Sequence, residues 1–280
     1  MTEQTKSVDD TATERDATTQ RRAVRARYAN IATATETGCG NGGCCDGESA
    51  PASSARLGYS ADEMQSVEAG ADLGLGCGNP TALAALTVGE TVLDLGSGAG
   101  FDCFLAAQQV GETGRVIGVD MTPKMVEKAR DNVAKNGSRT VEFRLGEIEH
   151  LPVADETIDV IISNCVINLS PEKRQVFREA YRVLNPGGRL AISDVVMTAT
   201  VPESVRENPE SVAACVAGAS TIENLETMLA AAGFENVEIT PKDESAEFIR
   251  EWDASLNLSD YIVSATITGE KPESGDATPE

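Results

Sequence analysis

The chain has 280 residues, enough for one substantial core with an appendage. Its formal charge is −22, from 45 acidic against 23 basic residues, and such a surface repels nucleic acid. No apolar run approaches the roughly 20 residues of a membrane span, and the first 30 residues hold no apolar signal-peptide core, so a cytoplasmic protein is expected. Lysine is scarce, seven beside 16 arginines, which suits a salt-rich cytoplasm where screening removes most self-repulsion. Ordinary solubility tuning is the alternative.

In chain order, residues 1–58 read as a flexible N-terminal tail and a Gly-, Ser- and Cys-rich loop carrying Cys39, Cys44 and Cys45. Ser60, with Glu63 three residues on, is a capping box that starts a helix. That helix runs out in the glycine-dense stretch 73–80 around Cys77, and another from about Thr81 leads to a strand at 91–95. The alternation is then regular: helix 101–110, strand 115–119, helix 123–136, strands 140–145 and 157–164, helix 171–184, a turn at 185–188, strand 189–195. Near-continuous apolar strands between amphipathic helices make a doubly wound, Rossmann-like parallel α/β sheet over 59–199. After Pro202 the pattern changes to helices over 203–232 and segments at 234–240 and 260–268, expected as antiparallel edge strands. This gives a smaller C-terminal α+β part over 200–270, and 271–280 is a polar tail.

The segment 92–100, Val-Leu-Asp-Leu-Gly-Ser-Gly-Ala-Gly, carries the most chemistry. An apolar strand delivers Asp94, and a turn with Gly96, Ser97, Gly98 and Gly100 then opens a helix whose N-terminal dipole faces a ligand on the loop. The next strand ends on Asp120, placed to take the hydroxyls of a ribose. Dinucleotide sites use G-x-G-x-x-G/A, but Phe101 stands at the last position here. Asp94 would repel a pyrophosphate and attract a cationic sulfonium with an amino-acid tail. Met121 and Ile148 suit the faces of an adenine, with ordinary core packing as the alternative for both; Glu147 suits its edge, and Asn164 the amino-acid end. A nicotinamide or nucleotide binder competes with this reading.

Seven cysteines, an odd number at wide spacing, do not make a disulfide framework. Cys165 follows the 157–164 strand at the expected ligand edge. Cys77 sits in a glycine-rich turn with little bulk to shield its thiol, and Cys215 in a small-residue helical segment. None forms a C-x-x-C pair, so a zinc knuckle is not supported, yet three thiols from separate regions can meet over the sheet edge. Cys103, on the inner face of the 101–110 helix, reads as core. Phe248 and Trp252 read as C-terminal core that can also wall a site. His150 is the single histidine, which nearly excludes histidine-based acid–base machinery.

The motif around Asp94 and Asp120 resembles that of class I S-adenosylmethionine-dependent methyltransferases. The cysteine contexts narrow the resemblance to the arsenite methyltransferases: Gly-Leu-Gly-Cys-Gly-Asn-Pro at 74–80, Ser-Asn-Cys-Val-Ile-Asn-Leu at 163–169, and the segments 93–98, 215–219 and 241–245. The likeness spans roughly residues 28–269. It implies S-adenosyl-L-methionine as methyl donor and arsenite or its thiol conjugates as substrate. It also implies Cys77, Cys165 and Cys215 as arsenic-binding thiolates, a thiol reductant such as thioredoxin as co-substrate, and a role in arsenic detoxification. Thiolates are soft ligands that suit a thiophilic centre. Arsenic bound by three sulfurs keeps a lone pair that can take a methyl group in line without a base. Cys39, Cys44 and Cys45 resemble the N-terminal cysteine pair of such enzymes, and arsenite capture, disulfide shuttling and a plain surface loop all stay open.

Two rival readings make different demands. A carbon or oxygen methyltransferase of quinone or sterol type would want a proton acceptor and a large apolar pocket. A non-catalytic thiol-based metalloid binder acting as a sensor would want a basic surface, which this chain lacks.

The charge carries its own expectation. Self-repulsion at −22 should loosen the fold in dilute buffer, where the Debye length is roughly 30 Å, and molar salt cuts that length to about 3 Å. Melting temperature and activity should rise together from dilute buffer to molar potassium chloride. A melting temperature independent of salt would leave solubility tuning as the meaning of the acidity.

Overall fold

The structure, a computed structural model, describes residues 8–33, 50–68, 70–200, 216, 218–250, 252 and 257–273. Cys39, Cys44, Cys45 and Cys215 lie outside the described residues, as does 203–215, expected to be helical.

The alternation read from the sequence is present. Strands β1 (Thr91–Leu95), β2 (Arg115–Asp120), β3 (Val141–Leu145) and β4 (Ile158–Asn164) pair in parallel in the order β3-β2-β1-β4, followed by β5 (Leu184–Met197). Helices α5 (Phe101–Val110), α6 (Pro123–Asn136) and α7 (Lys173–Val183) make the connections. Leu93, Leu95 and Ile161 pack into one core and Val92, Val160 and Ile162 into the other, which is why these strands read as unbroken apolar runs. The capping box is also present: Ser60 accepts from the Glu63 N–H and Glu63 from the Ser60 N–H at the start of α3 (Ala61–Gln65). Asn79 caps the short α4 (Pro80–Ala84).

Three features depart from the sequence reading. Residues 185–188, expected as a turn, lie within β5. Leu184 pairs with Ile158 but Arg189 with Val160, so the extra residues form a bulge with Gly187 at φ +79°. The two C-terminal strands join the sheet antiparallel as expected, but not in chain order. After β6 (Ser220–Thr221) and α8 (Ile222–Ala232) come β7 (Glu235–Pro241), α9 (Ala246–Ile249) and β8 (Ile262–Glu270). β8 is antiparallel and sits between β5 and β7, so that β7 forms this edge of the sheet and β3 the opposite one. Nine register pairs join β5 to β8, so both parts of the chain share one sheet.

The third departure is at the N-terminus. Much of the expected tail is the 26-residue helix α1 (Val8–Thr33). Val24 and Ala32 are buried against the body. Arg21 pairs with Glu147, Glu149 and Glu172, and Arg25 with Glu147. Gln20 donates to the Leu169 carbonyl at 3.0 Å. A second short helix, α2 (Ala50–Arg56), follows. Among the described residues no helix is long and apolar enough to cross a membrane.

Gly118 in the middle of β2 sets how tightly the sheet lies against its loops. A Cβ there would lie 2.5 Å from the Phe143 ring and 2.7 Å from the Ser97 Oγ. Gly118→Ala should therefore destabilise the fold by roughly 1–3 kcal/mol, as overpacking does. Urea unfolding measures it, and an unchanged midpoint would show that the loop and ring give way freely.

Candidate active site

The parallel register brings the carboxyl ends of β1, β2 and β4 level, with Leu95 opposite both Val119 and Ser163. The chain order reverses on either side of β1, and this is where open α/β sheets bind ligands. A cavity of about 490 Å³ opens here, within the range of ligand pockets. Asp94, Gly96, Ser97, Gly98, Asp120, Met121, Ile148 and Asn164 line it. Gly100 and Glu147 do not. Gly100 caps α5 beneath the loop, and Glu147 turns outward to Arg21 and Arg25, while its neighbour Glu149 faces the cavity.

The loop after β1 is held from behind. Gly96 and Ser97 N–H groups donate to the Val119 carbonyl, and the Gly98 N–H donates to Asp120 at 3.0 Å. Gly96 has φ +73°, and a Cβ there would run into the Val166 side chain, so glycine is required twice over. Asp120 also accepts the Thr122 N–H at 2.7 Å. Desolvation raises its carboxyl despite these bonds.

The wall is acidic. Burial pushes the Asp94 carboxyl well above the usual range, and the nearby Asp102 and Asp120 charges push the same way. Cys103 is fully buried and donates its thiol to Asp94 at 3.2 Å, outside the cavity lining. Asp102, on the first turn of α5, is pushed up to about 6 by burial, opposed by hydrogen bonds from Tyr59 and Asn164. Two buried polar atoms at this wall, Ser97 Oγ and Asp72 Oδ2, have no partner. Crowded carboxylates and orphaned acceptors fit a ligand that brings positive charge and donors.

Two of the three sequence-chosen thiols come together. The Cys77 and Cys165 sulfurs and an Asp194 oxygen all lie within 4.8 Å of one another. Cys165 takes a left-handed backbone, φ +58°, at the end of β4 and lines the cavity. The expectation of an unshielded Cys77 is corrected: it is 1 % exposed, because its glycine-flanked turn lies flat across the sheet, bonded to Asn164 of β4 and Ser264 of β8. Asp194 accepts four hydrogens, from the Ile167, Asn168 and Val195 N–H groups and the Asn168 side chain. Its lone pairs are thus committed to anchoring the turn after Cys165, and it serves as an anchor rather than a third ligand. Val216 and Ala219 pack in the same cluster as both thiols. Phe248 and Trp252 face the cavity, with ring centroids 5.8 Å apart. His150 is exposed.

Sequence reasoning missed Tyr59, Asp102 and the α1 residues Arg21, Val24 and Tyr28. The spacing 21, 24, 25, 28 places the last three and Arg25 on one helix face, a signal present in the sequence but diluted by the polar remainder.

Known proteins share the sequence and the fold of this chain. A methyltransferase domain family matches residues 86–233. The arsenite methyltransferase of Halobacterium salinarum is 60 % identical over 271 residues, covering 94 % of this chain and 69 % of that protein. Human arsenite methyltransferase is 43 % identical over 130 residues, 43 % of this chain and 35 % of its own length. The crystal structure of an arsenic(III) S-adenosylmethionine methyltransferase from Chlamydomonas reinhardtii superposes with a TM-score of 0.56 at 34 % identity, over 81 % of this chain and 75 % of that one. With identity of this level sustained along nearly its whole length, the chain belongs to the arsenite methyltransferase family.

Proposed function

We propose that this enzyme methylates trivalent arsenic, held by Cys77, Cys165 and Cys215, using S-adenosyl-L-methionine. The observation that carries the proposal is the pair of buried thiols, Cys77 and Cys165, brought together at the edge of an acid-walled cavity. The segment next to Cys215 supports the third thiol, since Val216 packs among the same residues.

The donor supplies an electrophilic methyl group on a cationic sulfur. Asp94 and Asp102 meet its positive end, Asp120 its ribose hydroxyls, and Met121 and Ile148 the adenine faces, with Glu149 toward the edge where Glu147 was expected. Asn164 borders the amino-acid end. The thiolates hold arsenic with its lone pair free, and no residue has to remove a proton from the nucleophile. What the protein contributes is orientation, worth roughly 7–11 kcal/mol for well-placed reactants, and exclusion of water by Phe248, Trp252 and helix α1. Accepting a methyl cation equivalent takes two electrons from arsenic, so repeated turnover requires a dithiol such as thioredoxin to return them as it becomes a disulfide. Cys39, Cys44 and Cys45 remain candidates for arsenite capture or disulfide shuttling. In a cytoplasm exposed to arsenite this chemistry serves detoxification.

Replacing Cys77, Cys165 or Cys215 by Ser should weaken arsenite binding by more than the roughly 10–100-fold that loss of an outer-shell partner costs a metal site. Cys103→Ser should leave it unchanged. X-ray absorption of the arsenite-loaded protein should show sulfur coordination, and its absence would refute the proposal.

Asp102 adds a pH dependence. Its carboxyl, raised to about 6, is neutral below that pH and attracts a cation only above it. Calorimetric affinity for S-adenosylmethionine should climb from about pH 5 to about pH 7, and Asp102→Asn should reduce that climb, leaving the part due to Asp94 and Asp120. A wild-type affinity that fell with rising pH would remove Asp102 from the donor site.

A further inference from the structure

Asn164 has a second set of contacts besides its place on the cavity wall. Its Oδ1 accepts the Cys77 N–H at 2.9 Å, and its Nδ2 donates to the Gly78 carbonyl at 2.8 Å. One amide thus grips both sides of the turn that carries Cys77. The turn is pressed flat on it: a Cβ at Gly76 would lie 2.7 Å from both ends of the amide, and Gly76 has φ +127°. From the other side, Ser264 donates to the Cys77 carbonyl at 2.6 Å. Asn164 also immediately precedes Cys165, so its side chain bears on one thiol by hydrogen bonds and its backbone on the other.

The remaining contacts lead back to the cavity. The same Nδ2 lies 3.0 Å from the Tyr59 hydroxyl and 3.4 Å from Asp102, and Tyr59 donates to Asp102 at 2.6 Å. Nδ2 has two hydrogens for three acceptors, so Tyr59 and Asp102 share what Gly78 leaves. Asp102 is a cavity wall. A cation drawn to that carboxylate competes for it and re-divides the Asn164 hydrogens.

We propose that Asn164 is a positioning residue that ties the Cys77–Cys165 thiol pair to the ligand in the cavity through the Asp102–Tyr59–Asn164 hydrogen bonds. The inference rests on the reading of Cys77 and Cys165 as arsenic ligands. Such linkage is reciprocal: whatever the cavity ligand does to the thiols, arsenic on the thiols does to the cavity ligand.

The test reads the thiol directly. The protein is alkylated with iodoacetamide, with and without S-adenosylmethionine and with no arsenite present, and the rate at Cys77 is followed by peptide mass. In the wild type, S-adenosylmethionine should change that rate. In Asn164→Ala, Cys77 should react about tenfold faster, the equivalent of one lost hydrogen bond, and should no longer respond to the ligand. Asn164→Asp keeps the acceptor for the Cys77 N–H and should recover part of the protection. Tyr59→Phe should keep the slow rate and lose the response. Cys103 should stay unlabelled throughout, which reports an intact fold. Wild-type rate and response at Cys77 in Asn164→Ala would overturn the proposal. If that variant fails to fold, a full response in Tyr59→Phe overturns it and a lost response supports it. Arsenite binding is read separately by the fluorescence of Trp252, the single tryptophan of the chain. Absence of arsenite binding in the wild type would refute the arsenic reading, while Cys77 labelling still decides the role of Asn164.

Discussion

The parallel register across β2, β1, β4 and β5 is the constraint from which the site follows. Because Leu95 lies level with Val119 and Ser163, the chain leaves β1, β2 and β4 at nearly one height, while β5, level with Asn164 at Ser193, runs on to Met197. The loops that follow therefore share a single edge and can hydrogen-bond to each other. Gly98 reaches Asp120, Cys165 donates to Ser193, and the Ile167 turn is caught by Asp194. A one-residue slip in β4 would point Asn164 to the other face of the sheet and separate Cys165 from Cys77. The spacing of the thiols is thus inherited from backbone pairing in the core.

Against that frame the carboxylates divide into two kinds. Asp194 is buried and surrounded by four donors, so its position is an internal joint and its charge is met within the protein. Asp94 is buried too, but among the described residues its one donor is the weak thiol of Cys103. Leaving a carboxylate so poorly served costs stability unless something else meets it. Asp102 is intermediate, with Tyr59 and Asn164 on one side and the cavity on the other. The difference in donors separates the group that braces the site from those left open toward the cavity.

Much of this was legible in the sequence because it depends on local pattern. The apolar runs of β1 to β4, the glycine turn, and the Ser60–Glu63 cap are set by residues within a few positions of one another. Cys77 and Cys165 were legible through their flanking residues, although the burial of Cys77 was not, since the strand that covers it, β8, comes nearly 190 positions later. Chain order does not encode sheet order, so the insertion of β8 between β5 and β7 could not be read. Tyr59 and Asp102 meet across 43 residues and carry no motif. Helix α1 was hidden by composition: the groups it meets, the core around Val24 and the carboxylates of Glu147, Glu149 and Glu172, lie far along the chain, and no isolated stretch so polar would signal it.

The left-handed backbone of Cys165 sets stability and function against each other at one position. Any residue with a Cβ is strained at φ +58°, and glycine alone is at ease there. Selection for a robust fold would therefore drift this site toward glycine, and each such step would delete the thiol that lines the cavity. A cysteine here carries a backbone cost that glycine would not, and only a role such as the one proposed for its thiol offsets that cost. Lineages freed from that chemistry would be expected to lose this side chain early, before the surrounding sheet shows any other sign of change.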